Sequence, residues 1–215
     1  MAFPVVQARA VSANNFVTAN VINLPAGIAA GDLLVLCVGS ASLGAITWPA
    51  GWTIIFDTTN TFRLQVAYRI ATGTEGASIT ITGASAGYTG ATAYLISGAA
   101  STAPAVSAAA TGNSASPAPP SLSPAWGAAD TLWLAVTGNG FNTVTSYPSG
   151  FLNGIVDGIN GHAAAASAEL SLNTATETPG AFLAGSGAWV AATLAVGPPV
   201  PSISWQPWVT SSGWT

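Results

Sequence analysis

Hydrophobic residues in this chain recur at every second position or in short unbroken runs, and neither pattern lasts long. Ser78-Ile79-Thr80-Ile81-Thr82 alternates apolar and polar, the period of a strand covered on one face. Residues 33–38, LLVLCV, are apolar throughout, as in a strand covered on both faces. Similar short stretches follow one another: PVVQARAVSA, TANVINLP, WTIIFDTT, RLQVAYRIA, ASITITG and GATAYLISG, then AVSAAATG, DTLWLAVTG, FLNGIVDG, HAAAASAELSL and AWVAATLAVG. Helical spacing with paired charges is missing, and 24 Gly and 14 Pro interrupt the chain every few residues. The pattern predicts an all-β protein of about twelve short strands, a jelly-roll-like antiparallel β-sandwich.

The two halves share words in the same order. AAGDLLVLCVGS matches GAADTLWLAVTG, with Asp32 facing Asp130, and ITWPAGWTIIFD matches VTSYPSGFLNGIVD, with Pro49 facing Pro148 and Gly51 facing Gly150. RIATGTEGASI loosely matches SLNTATETPGAF, and ATAYLISGA matches VAATLAVGP, with Leu95 facing Leu194 and Gly98 facing Gly197. This is the trace of an internal two-fold repeat, with halves at 18–100 and 121–199 and a connector at 101–120. A sheet of about five strands standing alone would leave an apolar face bare, whereas two packed face to face cover both. One pseudo-symmetric sandwich over 1–199 is therefore expected, with two tandem sandwiches as the other arrangement. Within the repeated WPAGW and YPSGF stretches, Pro and Gly suit a tight turn, and the flanking aromatics are expected to close the end of the sandwich.

Beyond the second half the pattern changes. Residues 200–215 carry Trp205, Trp208 and Trp214 with no charged side chain. Burying three tryptophans contributes on the order of 12–18 kcal/mol at most, against about 15–30 kcal/mol to order the fifteen residues 201–215. The tryptophans alone do not suffice, so main-chain pairing or a partner is needed. Because PPVP opens the segment stiffly, it is expected to be an extended arm whose three tryptophans bind a neighbouring chain.

Charge is the exceptional part of the composition. Only 5% of the 215 residues are charged, against about 25% in ordinary soluble domains. There is no lysine; the cations are Arg9, Arg63 and Arg69, and the net charge is −4. Three scattered arginines cannot supply the phosphate contacts of nucleic-acid binding or of anionic-membrane docking. Mean hydropathy is +0.52, yet no apolar run approaches the ~20 residues of a membrane span, and the first residues lack the basic and apolar regions of a signal peptide. Neither a membrane nor a nucleic-acid partner is expected.

Candidate chemistry is sparse. A single histidine, His162, and a single cysteine, Cys37, exclude zinc sites built from several His or Cys ligands, and Cys37 inside LLVLCV reads as a small buried hydrophobe. No G-x-S-x-G elbow is present. Asp57, Asp130, Asp157, Glu169 and Glu177 could pair for glycoside hydrolysis only if folding united two of them. DGING at 157–161 reads as a hairpin turn rather than a calcium loop, and Asp32 and Asp130 as acids bonding turn backbone. No enzyme activity, cofactor or metal is expected.

The stretches LPAGIAAGDLLVLCVGS, ITWPAGWT and VAYRIATGTEGASITIT, with DTLWLAV following, resemble small β-sandwich proteins encoded among the structural genes of tailed bacteriophages and related particles. The similarity covers most of residues 18–197 and rests on strand and turn words, so it carries over no functional residues. It implies a virion protein made in the host cytoplasm: a capsid decoration (cement) protein, or a tail, fibre or spike module. Its partners would be its own copies, with a homotrimer as one arrangement, and capsid or tail proteins. A different class of function is a carbohydrate-binding module for host-surface glycans, using Trp48, Trp52 or Trp126.

Overall fold

The computed structural model describes residues 2–140, 144–158 and 162–199. These contain fourteen strands and no helix. The first half supplies β1 (Val5–Asn23), β2 (Leu33–Ser40), β3 (Ile46–Thr47), β4 (Thr53–Thr59), β5 (Arg63–Ile70) and β6 (Ser78–Ser97). They form one six-stranded sheet, β1-β6-β2-β5-β4, with β3 also on β6. The second half supplies β7 (Ala105–Val106), β8 (Ala110–Ser114), β9 (Ala129–Asn139), β10 (Val144–Ser146), β11 (Leu152–Gly158), β12 (Ala164–Thr174), β13 (Leu183–Ala184) and β14 (Gly187–Val196). Its six-stranded sheet runs β11-β12-β9-β14-β7, with β8 also on β14, while β10 and β13 make a separate pair. All pairings are antiparallel.

The sheets pack face to face as an antiparallel β-sandwich, and each is built from one repeat. Leu33, Val35, Cys37, Leu64, Val66, Tyr94 and Ile96 of the first sheet meet Leu132, Leu134, Val136, Val190, Leu194 and Val196 of the second. A buried hydrogen-bond chain crosses this core: the Tyr94 hydroxyl donates to Ser167 Oγ (2.6 Å), and Ser167 donates to Thr92 Oγ1 (2.9 Å). Near one end the sheets approach so closely that a Cβ on Gly90 would stand 2.3 Å from the Asp157 carbonyl oxygen. Cys37 is fully buried in the core, and burial pushes its thiol up to about 12 even though a hydrogen bond with the Thr92 side chain lowers it. Connector residues 105–114 are not a loose link, because β7 and β8 are the edge of the second sheet.

The registers also correct the repeat alignment. Leu33 lies opposite Ile96 in one sheet and Leu132 opposite Val196 in the other, so Leu33 is equivalent to Leu132 and Tyr94 to Leu194. Matching Asp32 with Asp130 and Leu95 with Leu194 is therefore wrong by one residue. In a strand such a slip exchanges the two faces: Leu95 packs outward while Leu194 points into the shared core.

Outward faces are covered too, which is why β2 is buried at all eight positions. The predicted strands at 4–13 and 18–25 are one strand, β1, and those at 77–83 and 90–98 are one strand, β6. At 19 and 20 residues these outrun the eight-residue β2 and β5. The excess ribbon turns a corner and folds over the first sheet, burying Ile22, Leu24 and Ile81 on Leu36, Val38, Ala91 and Ala93. Over the second sheet the cover is the end of the connector, with Phe182 and Ala184 N–H donating to the carbonyls of Pro117 and Ala115.

Candidate functional site

Both aromatic turns form as repeated devices. The Trp52 amide donates to the Pro49 carbonyl (3.4 Å) and the Phe151 amide to that of Pro148 (3.1 Å). Gly51 and Gly150 take φ of 87° and 83°, the left-handed region open to glycine. Proline thus occupies the first turn position and glycine the third. The aromatics do not plug the end of the sandwich but lie on its outward faces. Trp48 and Trp52 pack on the cluster around Leu36 and Val38, and Tyr147 on the cluster around Trp133 and Phe182.

This placement bears on the three tryptophans considered for glycan stacking. Trp48 and Trp52 rings sit 5.8 Å apart at 40°, and the Trp48 indole N–H donates to Gln65 Oε1 at 2.8 Å. Trp126 belongs to the other half of the molecule, 39% exposed, with its N–H donating to Thr131 Oγ1 at 3.2 Å. The fold does not bring it to Trp48 and Trp52.

Charged groups are spent on structure. Each of the three arginines is ion-paired: Arg9 spans the two sheets to Glu169, Arg63 meets Asp57 at 2.5 Å, and Arg69 meets Glu75 at 3.1 Å. Burial pushes the Glu75 carboxyl up, but hydrogen bonds from the Thr72 amide and hydroxyl and the Gly73 amide outweigh it and hold the group at about 2. The acids considered as a catalytic pair lie on separate elements: Asp57 on β4, Asp130 on β9, Asp157 on β11, Glu169 on β12, and Glu177 at an isolated bridge to Leu122. Asp32 accepts the Ala29 amide at 2.9 Å, as expected. Asp130, within β9, accepts the Asn173 side chain across the strand pair at 2.8 Å. Among the described residues no group of three His, Cys, Asp or Glu could hold a metal ion.

A different surface emerges where the β1–β6 ribbon turns its corner. Register shifts fall between Asn14 and Val17 and between Val17 and Ala19, and Phe16 takes φ 32°, a strained value for a residue with a bulky side chain. Asn14 holds the fold-back, donating to the Val21 carbonyl and accepting its amide. Phe16 stands 63% exposed. Its ring lies 5.5 Å from that of Tyr88, which stacks on His162 at 4.0 Å with 9° between planes. Val17 opposite Gly87 is 39% exposed. The turn that carries Leu43, 51% exposed, meets β6 at Gly87 through Ser42, on the face opposite to the Tyr88 ring. Sequence reading missed this array because its members are far apart in the chain.

Free strand edges are blunted. The β1 edge carries a register shift after Val6 and is held by Asn23, whose side chain donates to the Val11 carbonyl. Those of β4 and β11 are bulged at 54–56 and 152–155. Such devices oppose strand addition, so side-chain surfaces are the better contact sites. Trp205, Trp208 and Trp214 lie outside the described residues. No protein-family model, curated protein or solved structure matches this chain.

Proposed function

We propose that the protein is a non-enzymatic structural component of a virion, a capsid decoration protein that binds its own copies and capsid neighbours through uncharged apolar surface. The observation that carries this reading is the combination of a surface with every arginine neutralised inside the chain and eleven exposed large hydrophobic side chains among the described residues. A nearly uncharged coat with apolar groups on it is poorly suited to a free monomer and well suited to being covered. The resemblance to phage structural sandwiches supports the virion setting, and the packing and hydrogen bonding of Trp48 and Trp52 weigh against a glycan platform on them. Electron microscopy of the intact particle tests the reading: density for this sandwich at regular positions on the capsid shell is expected. Particles lacking the chain, or a chain found only at the tail, would overturn it.

A further inference from the structure

We propose that the Phe16–Tyr88–His162 corner is the receptor for the tryptophan segment, residues 200–215, of a second copy, so that copies join head to tail. The proposal deepens the assembly reading above by naming the site and its occupant. The last described residues lie at the opposite end of the sandwich from the corner. The Gly197 carbonyl accepts the Ala100 amide, Val5 is opposite Ser97, and Val196 opposite Leu132, all at the end where β2 begins with Leu33. The corner lies past the other end, where Ser40 is opposite Thr89. The eight-residue β2 alone covers about 26 Å at ~3.3 Å per residue. Trp205, eight residues beyond Gly197, reaches at most about 28 Å when fully extended. A molecule's own Trp205 would have to run taut along the whole sandwich to touch its corner, and Trp208 and Trp214, with reaches of about 38 and 60 Å, would have to lie back along it, whereas a neighbour stacked end to end presents the segment directly.

Chemistry matches at both sides. Residues 200–215 contain three tryptophans and no charged side chain. Phe16 and Tyr88 are uncharged, His162 being the one side chain of the array able to carry a positive charge, and an aromatic face is the contact an imidazole or its cation favours. Phe16 is held outward by a strained backbone that a glycine would relax, so the ring itself is what the strain secures. Contact between two different patches of identical chains is heterologous and generates rings or filaments.

The test uses the full-length protein and cysteine pairs. Phe16→Cys and Trp208→Cys are made singly, mixed, and oxidised, native Cys37 being buried. A disulfide-linked dimer of one copy of each is expected, well above either variant alone. Sedimentation then compares the parent with Phe16→Gly and Phe16→Trp. Phe16→Gly suits the positive φ and should keep or raise the unfolding midpoint while weakening association at least about tenfold, the loss of a central aromatic contact; Phe16→Trp should retain association. No mixed dimer, or association unchanged in Phe16→Gly, would overturn the proposal. So would a double variant that cross-links only within one molecule. The measurement needs no particle, so its failure is distinct from failure to find the chain on a capsid.

Discussion

The two sheets are two readings of one plan, and they differ where the plan was free to change. Their inner faces interlock with equivalent residues, Leu33 with Leu132 and Tyr94 with Leu194, and each outward face carries an aromatic turn with glycine near φ 85°. The edge strands diverge. In the first repeat one 19-residue strand bends and doubles back over its own sheet, exposing Phe16 at the bend. In the second, the same place is filled by two short strands and a connector strap, with no exposed aromatic corner among the described residues. Shared features are those a sandwich needs to bury its faces; the unshared corner is strained and exposed. A duplicated fold thus separates scaffold from the surface proposed for interaction.

The largest expected effect tests the shared scaffold. Trp133 and Leu34 occupy equivalent outward positions, each fully buried beneath its cover. Trp133→Ala should cost about 3–5 kcal/mol and Leu34→Ala about 2–5 kcal/mol, transfer plus cavity, measured by denaturant unfolding. If either variant unfolds within about 0.5 kcal/mol of the parent, that outward face is not a true core and the equivalence of the sheets fails.

A smaller difference sharpens the comparison at the turns. Alanine at Gly51 or Gly150 forces a left-handed backbone on a residue with a side chain, costing about 1–2 kcal/mol each. At Gly150 nothing stands within 4 Å of the added methyl, but at Gly51 it would come 2.8 Å from the Arg69 guanidinium. That group also donates to the Ala50 carbonyl and pairs with Glu75. Gly51→Ala should therefore be the more damaging of the two in thermal unfolding. Equal losses would mean that Arg69 moves aside without penalty.

Much of this was legible in the chain. Continuous apolar runs announced strands covered on both faces, as β2 is, and the repeated WPAGW and YPSGF words announced equivalent turns. What was not legible is geometric. The one-residue slip between Leu95 and Leu194 cannot be seen in matching letters, since apolar residues fall on both faces of a doubly covered strand. The joining of 4–13 to 18–25 into one strand depends on Asn14 bonding across the bend, an interaction whose partner, Val21, looks like any strand residue. The corner array of Phe16, Tyr88 and His162 exists only once both sheets are in place.

The finest test lies in two acids that the repeat aligns, Glu75 after β5 and Glu177 after β12, because their surroundings drive them in opposite directions. Glu75 sits at about 2 in the fold against an ordinary 4.5. Its charged form is favoured by folding, so its contribution is present above about pH 4.5 and is lost as pH falls towards 2. Glu177 is raised by burial, only partly offset by a hydrogen bond from the Thr178 amide. Its charged form is disfavoured by folding, and the penalty appears as pH rises through its folded-state value. Glu75→Gln should therefore lower stability at neutral pH and Glu177→Gln should raise it, both by small amounts, and the two effects should converge towards zero in acid. Unfolding midpoints between pH 2 and pH 7 provide the check. Effects of the same sign would mean that the turn after β12 holds its carboxylate as the turn after β5 does, and that the repeats diverge less than their edges suggest.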